Sequence, residues 1–220
     1  MAATHFSYQF FAEPITTIAG KLLGVQLHTR LFKEGQQVHY PELVIKTWPA
    51  QEKRHFLCEQ LSCITQHAAW FLQRGVCVSL PLYDEESAAL IGHDPELRQA
   101  ISSLPFVRLE LCESISEVRN EIRGISNSLW LSDLGRGDCH VSGLVDNDYE
   151  AVMLDRQFFN DEVYKPTFLL LIKNLRRYCE RIIVNGLKDR KVIPLLAEAE
   201  IYGVQGLCRA VPLNKVQTLM

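Results

Sequence analysis

The sequence has no uninterrupted apolar run long enough to cross a bilayer, and its first residues, Met1 to Phe11, carry neither a basic segment nor a long apolar one. A spanning helix and an export signal are therefore not expected, and the expected compartment is the cytoplasm. A basic excess is also lacking. Lys and Arg total 23 against 26 Asp and Glu, a formal net charge of −3, so there is no overall field to hold a phosphate backbone and direct nucleic-acid binding is not expected. No Pro/Gly/Ser-rich linker interrupts the 220 residues, which favours a single domain over 1–220. Seven cysteines are scattered without a CxxC pair, which fits reduced, mostly buried thiols. His55, Cys58 and Cys63 lack the second ligand pair of a zinc site, and His28, His39 and His67 show no ligand spacing and are expected at the surface or an interface.

What is present is an alternation of strand-like and helix-like segments in a chain that is 47% hydrophobic. His5 to Ile15 and Lys21 to Phe32 read as two opening strands joined by a turn at Thr16, Thr17 and Gly20. Pro41 to Ile45 starts a short helix, and Gln51 to Arg74 keeps helical spacing of apolar residues until Gly75. Val76 to Leu80 is a buried strand closed by Pro81, followed by helical segments from Asp84 and from His93 to Leu104. Phe106 to Leu111 sets Arg108 and Glu110 on the face opposite Val107, Leu109 and Leu111. Ser114 to Gly124 reads as a helix with a capping box at Ser114 and Glu117. Leu129 to Leu131 runs into a loop, Ser132 to Asp138, rich in glycine and aspartate. Tyr149 to Leu154, Arg181 to Val184 and Gly203 to Gly206 are further strands, alternating with helices at Pro166 to Arg181 and Lys188 to Glu200, and Pro212 to Met220 reads as a terminal helix. The order β–β–α followed by βα steps predicts an α/β fold, a (β/α)8 barrel of the TIM type with the first strand antiparallel.

The ends of these strands, in this order, resemble the EAL domain, the cyclic-diguanylate phosphodiesterase family. Gly24-Val25-Gln26-Leu27 with Arg30 is similar to GVEALxR, Val78-Ser79-Leu80 to VNLS, and Leu109 to Ser114 to LEITES. Ser132 to Gly137 resembles DDFGTG, Met153 to Phe158 resembles KIDRSF, Asn185 to Lys188 resembles EGVE, and Gln205-Gly206 with Pro212 resembles the closing QGYLFSRP. The resemblance runs from Tyr8 to Pro212. It implies a two-metal phosphodiesterase site in which carboxylates and one asparagine hold divalent cations that activate water.

Set against that pattern, this sequence is eroded. Gln26 stands for the first glutamate, Ser79 for the asparagine, Ser132 for the leading aspartate, Met153 for the lysine, Asn185 for a glutamate and Lys188 for the final glutamate. Glu110, Glu113, Asp133, Asp155 and Gln205 are kept, and Arg30 matches an arginine implied to contact ligand phosphate, although it would equally pair with Glu110 or Asp133. At about 4 Å and an effective dielectric near 20, each unit of charge changes the interaction with a divalent ion by several kcal/mol. The expectation is therefore no resident metal, no cofactor and no catalytic residue, only a vestigial site. Arg136-Gly137-Asp138 is read as an accident of the altered loop, and Cys139-His140 as lacking nucleophile geometry. Lys173, Arg176 and Arg177, with Lys188, Arg190 and Lys191, form two basic clusters, either solvated helix faces or a surface for an acidic partner.

The function implied is that of a non-enzymatic regulatory protein acting by protein–protein contact. Stand-alone degenerate EAL proteins of enteric bacteria include anti-activators of the flagellar master transcription activator, which makes a regulator of motility or adhesion the implied partner, met by a monomer. The alternatives are a non-hydrolysing cyclic-diguanylate receptor and a residual phosphodiesterase.

Overall fold

The computed structural model describes residues 6–112, 120–122, 124–136, 144 and 149–219. The helix expected at Ser114 to Gly124, the retained Glu113, and the Gly137 to His140 stretch fall wholly or largely outside these residues.

Two long strands open the fold, β1 (Phe6–Thr16) and β2 (Leu22–Lys33), paired antiparallel from Phe6↔Lys33 to Thr16↔Leu22. Their turn is closed by Thr17 N–H to Lys21 O, 2.8 Å. A two-residue strand, β3 (Gln36–Gln37), folds back on β2. Then come α1 (Pro41–Ile45), α2 (Ala50–Thr65) and α3 (Ala68–Arg74). The single long helix expected from Gln51 to Arg74 is broken at Gln66–His67, and α3 ends where Gly75 turns left-handed at φ 62°.

β4 (Cys77–Leu82) leads to α4 (Glu85–His93) and α5 (Pro95–Ser102), each capped by an aspartate. Asp84 accepts from the Ser87 amide and Asp94 from the Glu96 and Leu97 amides, satisfying donors that a helix start leaves open. Pro81 does not close β4; it lies inside it. Val78 N–H reaches Phe106 O, just ahead of the following strand, so odd-numbered amides of β4 face β2, and β2 pairs with β4 only as far as Ser79. At position 81 no ladder bond is lost.

β5 (Val107–Cys112), β6 (Leu129–Leu134), β7 (Ala151–Leu154), β8 (Ile182–Val184) and β9 (Gly203–Gln205) continue in parallel. Between them lie α6 (Arg156–Glu162), α7 (Phe168–Leu175), and a 3-10 turn (Arg190–Val192) running into α8 (Ile193–Glu198). Helix α6 was not expected from the sequence. Its signal is Asp155, whose carboxylate accepts from the amides of Gln157 and Phe158. β10 (Val211–Pro212) pairs with β1, and the chain continues into a kinked 3-10 helix, Leu213–Thr218.

The sheet has ten strands; setting aside the short β3 and β10, the other eight close into a barrel because β1 pairs with both β2 and β9. The expected architecture, an eight-stranded barrel with helices around it and β1 antiparallel, is the one observed. Alternation along the strands sorts the side chains. Val25, Leu27, Val78, Leu80, Val107, Leu109 and Leu111 pack outward with α2 to α5, while Leu131, Val152, Leu154, Ile182, Val184 and Val204 pack outward with α6 to α8. Inside, Ile15, Trp130, Ala151, Met153 and Ile183 form a separate apolar cluster. Burial of a large apolar side chain in such layers contributes roughly 1.5–3 kcal/mol, which holds the strand ends in register at the barrel mouth.

Candidate functional site

In a parallel barrel the loops after the strands build the working face. Here a cleft of about 490 Å³ opens at that end, with Gln26, Glu110, Ser132, Asp133 and Asn185 in its lining. Three of the expected site residues converge on Glu110, which is buried, and a fourth supports one of them. Gln26 Nε2 donates to both carboxylate oxygens, at 2.7 and 2.9 Å. Ser79 Oγ donates to Oε2, and Ser132 adds a side-chain hydrogen bond. Gln205 Nε2 in turn donates to Gln26 Oε1 at 2.8 Å, which fixes the Gln26 amide with its NH2 group toward the carboxylate. The result is a chain of neutral donors ending on one buried acid.

Burial raises the Glu110 pKa, and the hydrogen bonds from Ser79, Gln26 and Ser132 oppose that rise. A second group with a raised pKa borders the cleft: the half-buried Tyr83, pushed up to about 12 by desolvation. Sequence reasoning missed Tyr83, although it directly follows β4, and it also missed the cover formed by Pro41, Glu42, Leu43 and Lys46 around α1. His28, expected at the surface, lines the same cleft and sits 2.8 Å from Glu13.

The remaining expected site residues do not join the network. Asp133 adopts φ 57° inside β6, where the register with β7 shifts between Leu131 and Leu134; its carboxylate turns to the rim beside Arg136, 3.4 Å away. Met153 lies below the mouth in the apolar cluster with Trp130 and Ile183. Lys188 is exposed and is not among the residues lining the cleft, so the positive charge expected inside the site lies outside it. Arg30 stacks on Phe11, 3.7 Å from the ring centroid, and neither of the pairings expected for it with Glu110 or Asp133 is formed. Backbone strand direction explains this: Arg30 lies four residues beyond Gln26 on β2, past the pairing with β4.

Two divalent cations need several anionic oxygens close together. The donor set does not fit them. The position adjoining Glu110 is filled by an amide NH2, and hydroxyls donate where metal ligands would have to accept. Among the described residues no cluster of three or more His, Cys, Asp or Glu is placed to hold a metal ion.

Barrel topology, strand direction and this mouth together define a TIM-type barrel whose mouth holds a neutral hydrogen-bonded network around one buried acid. The solved structure of the EAL-like domain protein YdiV superposes with a TM-score of 0.83 at 21% identity, covering 99% of this chain and 97% of that one. In sequence the chain is 24% identical over 220 residues to the putative anti-FlhC2FlhD4 factor YdiV of Escherichia coli (strain K12), spanning 94% of this chain and 92% of the relative. It is 23% identical over 218 residues to the cyclic di-GMP phosphodiesterase PdeH of the same organism, spanning 94% and 85%. No protein-family model matches the chain. In fold and in sequence the chain is thus similar to EAL-like barrels, the enterobacterial anti-factors among them. No helix among the described residues is long and apolar enough to cross a membrane.

Proposed function

We propose that this chain is a non-enzymatic, cytoplasmic regulator that binds a transcription activator of the FlhC2FlhD4 type and hydrolyses no cyclic diguanylate. The observation that carries the reading is the saturation of Glu110 by Gln26, Ser79 and Ser132. A carboxylate that already accepts from three neutral side chains has no need of a cation, and the barrel retains its shape without one. Similarity to the YdiV anti-factors supplies the partner. The protein acts as a monomer and a single domain over 1–220, and binds the activator rather than the DNA. Its net charge of −3 supports this.

Calorimetric titration of the purified chain with the FlhC2FlhD4 complex tests the reading directly. Saturable binding at micromolar concentration or tighter is expected, with no linear dinucleotide produced from cyclic diguanylate in Mg²⁺ or Mn²⁺. Turnover that disappears in Asp133→Ala would instead assign a residual phosphodiesterase, and saturable heat with cyclic diguanylate alone would assign a receptor.

A further inference from the structure

The outer face of α7 and the segment leading into α8 combine exposed apolar side chains with unpaired cations. On α7 and the turn that follows it, Leu170, Lys173, Arg177 and Tyr178 share one stripe by their spacing and all are exposed, Leu170 at 58% and Tyr178 at 44%. Two contacts join the residues beside this stripe to the segment around α8. Tyr164, 67% exposed, donates its hydroxyl to Asp189 at 3.1 Å near the start of α8, and Arg176 pairs with Glu200 at its end. Lys188 and Arg190 are exposed beside Asp189. Among the described residues, Lys173, Arg177, Lys188 and Arg190 form no ion pair.

A solvated helix face accounts for the cations, since positive charge near a helix carboxyl end is favourable. It does not account for Leu170, Tyr164 and Tyr178 among them. Apolar and aromatic anchors interspersed with unpaired cations are the make-up of a protein interface, in which anchors carry the energy and charge selects the partner. Asp161, Glu180 and Glu198, on the neighbouring stretches of chain, are exposed as well. They would repel an extended phosphate polymer or an anionic bilayer, but leave room for a short acidic segment.

We infer that the α7–α8 face is the docking surface for an acidic amphipathic segment of a protein partner. The inference rests on the protein-binding reading above only for the identity of that partner.

The test uses Lys173→Glu/Arg177→Glu, with Lys21→Glu/Lys33→Glu, exposed elsewhere, as the charge-matched control, and thermal melting to verify the fold. Titration with FlhC2FlhD4 is expected to show the α7 variant weakened about tenfold or more and the control unchanged. Binding by wild type that both variants retain equally overturns this surface and leaves the partner assignment standing. If wild type does not bind FlhC2FlhD4, the partner assignment fails and the surface is judged with a fluorescein-labelled helical peptide with Glu and Leu on opposite faces. The same tenfold loss confined to the α7 variant supports the surface, and equal behaviour overturns it. Wild-type binding to phosphatidylserine vesicles or single-stranded RNA at 150 mM salt, lost in the α7 variant, would reassign the face to phosphate. Self-association in sedimentation velocity, lost in that variant, would reassign it to a second copy of this chain.

Discussion

Gln26 Nε2 sits within hydrogen-bonding distance of both carboxylate oxygens of Glu110, at 2.7 and 2.9 Å. An amide here turns a pair of groups that would repel as two carboxylates into a donor–acceptor pair. Gln26→Glu reverses that. At pH 7 in chelator the variant is expected to lose about 3 kcal/mol, with the deficit shrinking at pH 5, where the two acids share a proton. Urea denaturation at both pH values measures it, and a variant as stable as wild type at pH 7 would contradict this account of the network.

Glu110 itself gives the opposite test. Its folded-state pKa is raised by burial, so the folded protein binds the proton more tightly than the unfolded chain. Its contribution to stability is therefore greatest below the unfolded carboxyl pKa and declines as pH rises through the window up to the folded value. Glu110→Gln removes that decline. Relative to wild type the variant is expected to gain as pH rises above the unfolded carboxyl value of 4.5, as read from paired denaturation curves.

Lys53 is buried on α2, with Asp84 and Glu86 each 2.6 Å away. Burial alone would raise the Asp84 pKa, but hydrogen bonds from Lys53 and Ser87 outweigh it and hold the acid below its usual range. Asp84 thus stabilises the fold above the unfolded carboxyl pKa, and this contribution is lost as pH falls through its lower folded value. Lys53→Ala strands the half-buried acid that caps α4 and is expected to cost about 3 kcal/mol. Lys53→Ala/Asp84→Asn should recover part of this, and a double-mutant cycle reads the coupling.

Gly135 follows the β6 strand end at φ 100°, and a β-carbon there would lie 2.2 Å from the ring of Phe158. Gly135→Ala combines a left-handed backbone with an overlap against a ring on α6. A loss of about 3 kcal/mol is expected, visible as a lowered Tm with unchanged helix content before the transition.

Much of the architecture was legible because apolar period and strand ends follow local rules. Val107, Leu109 and Leu111 alternate with Arg108 and Glu110, and the barrel keeps that alternation. The network around Glu110 was legible only as a set of replaced residues. Which way the Gln26 amide points depends on Gln205, 179 positions away in sequence. Arg30 and Lys188 were misplaced for a related reason: a motif fixes order along the chain, whereas strand pairing and loop path decide which side chains reach the mouth. The position of Pro81 inside β4 depends on where β2 stops pairing with it, which no local window contains.

The pairing of β1 with β9, Ile15 against Gln205 and Thr16 against Val204, gives the barrel a deadline during synthesis. The β1–β2 hairpin is made before the rest of the barrel, yet its second partner follows almost two hundred residues later. Until Val204 and Gln205 emerge, one edge of β1 and one edge of β8 stay open, and unpaired edges are templates for misassociation. Closure is thus a late, long-range event, and a nascent chain stalled before Val204 exposes the surfaces that chaperones protect.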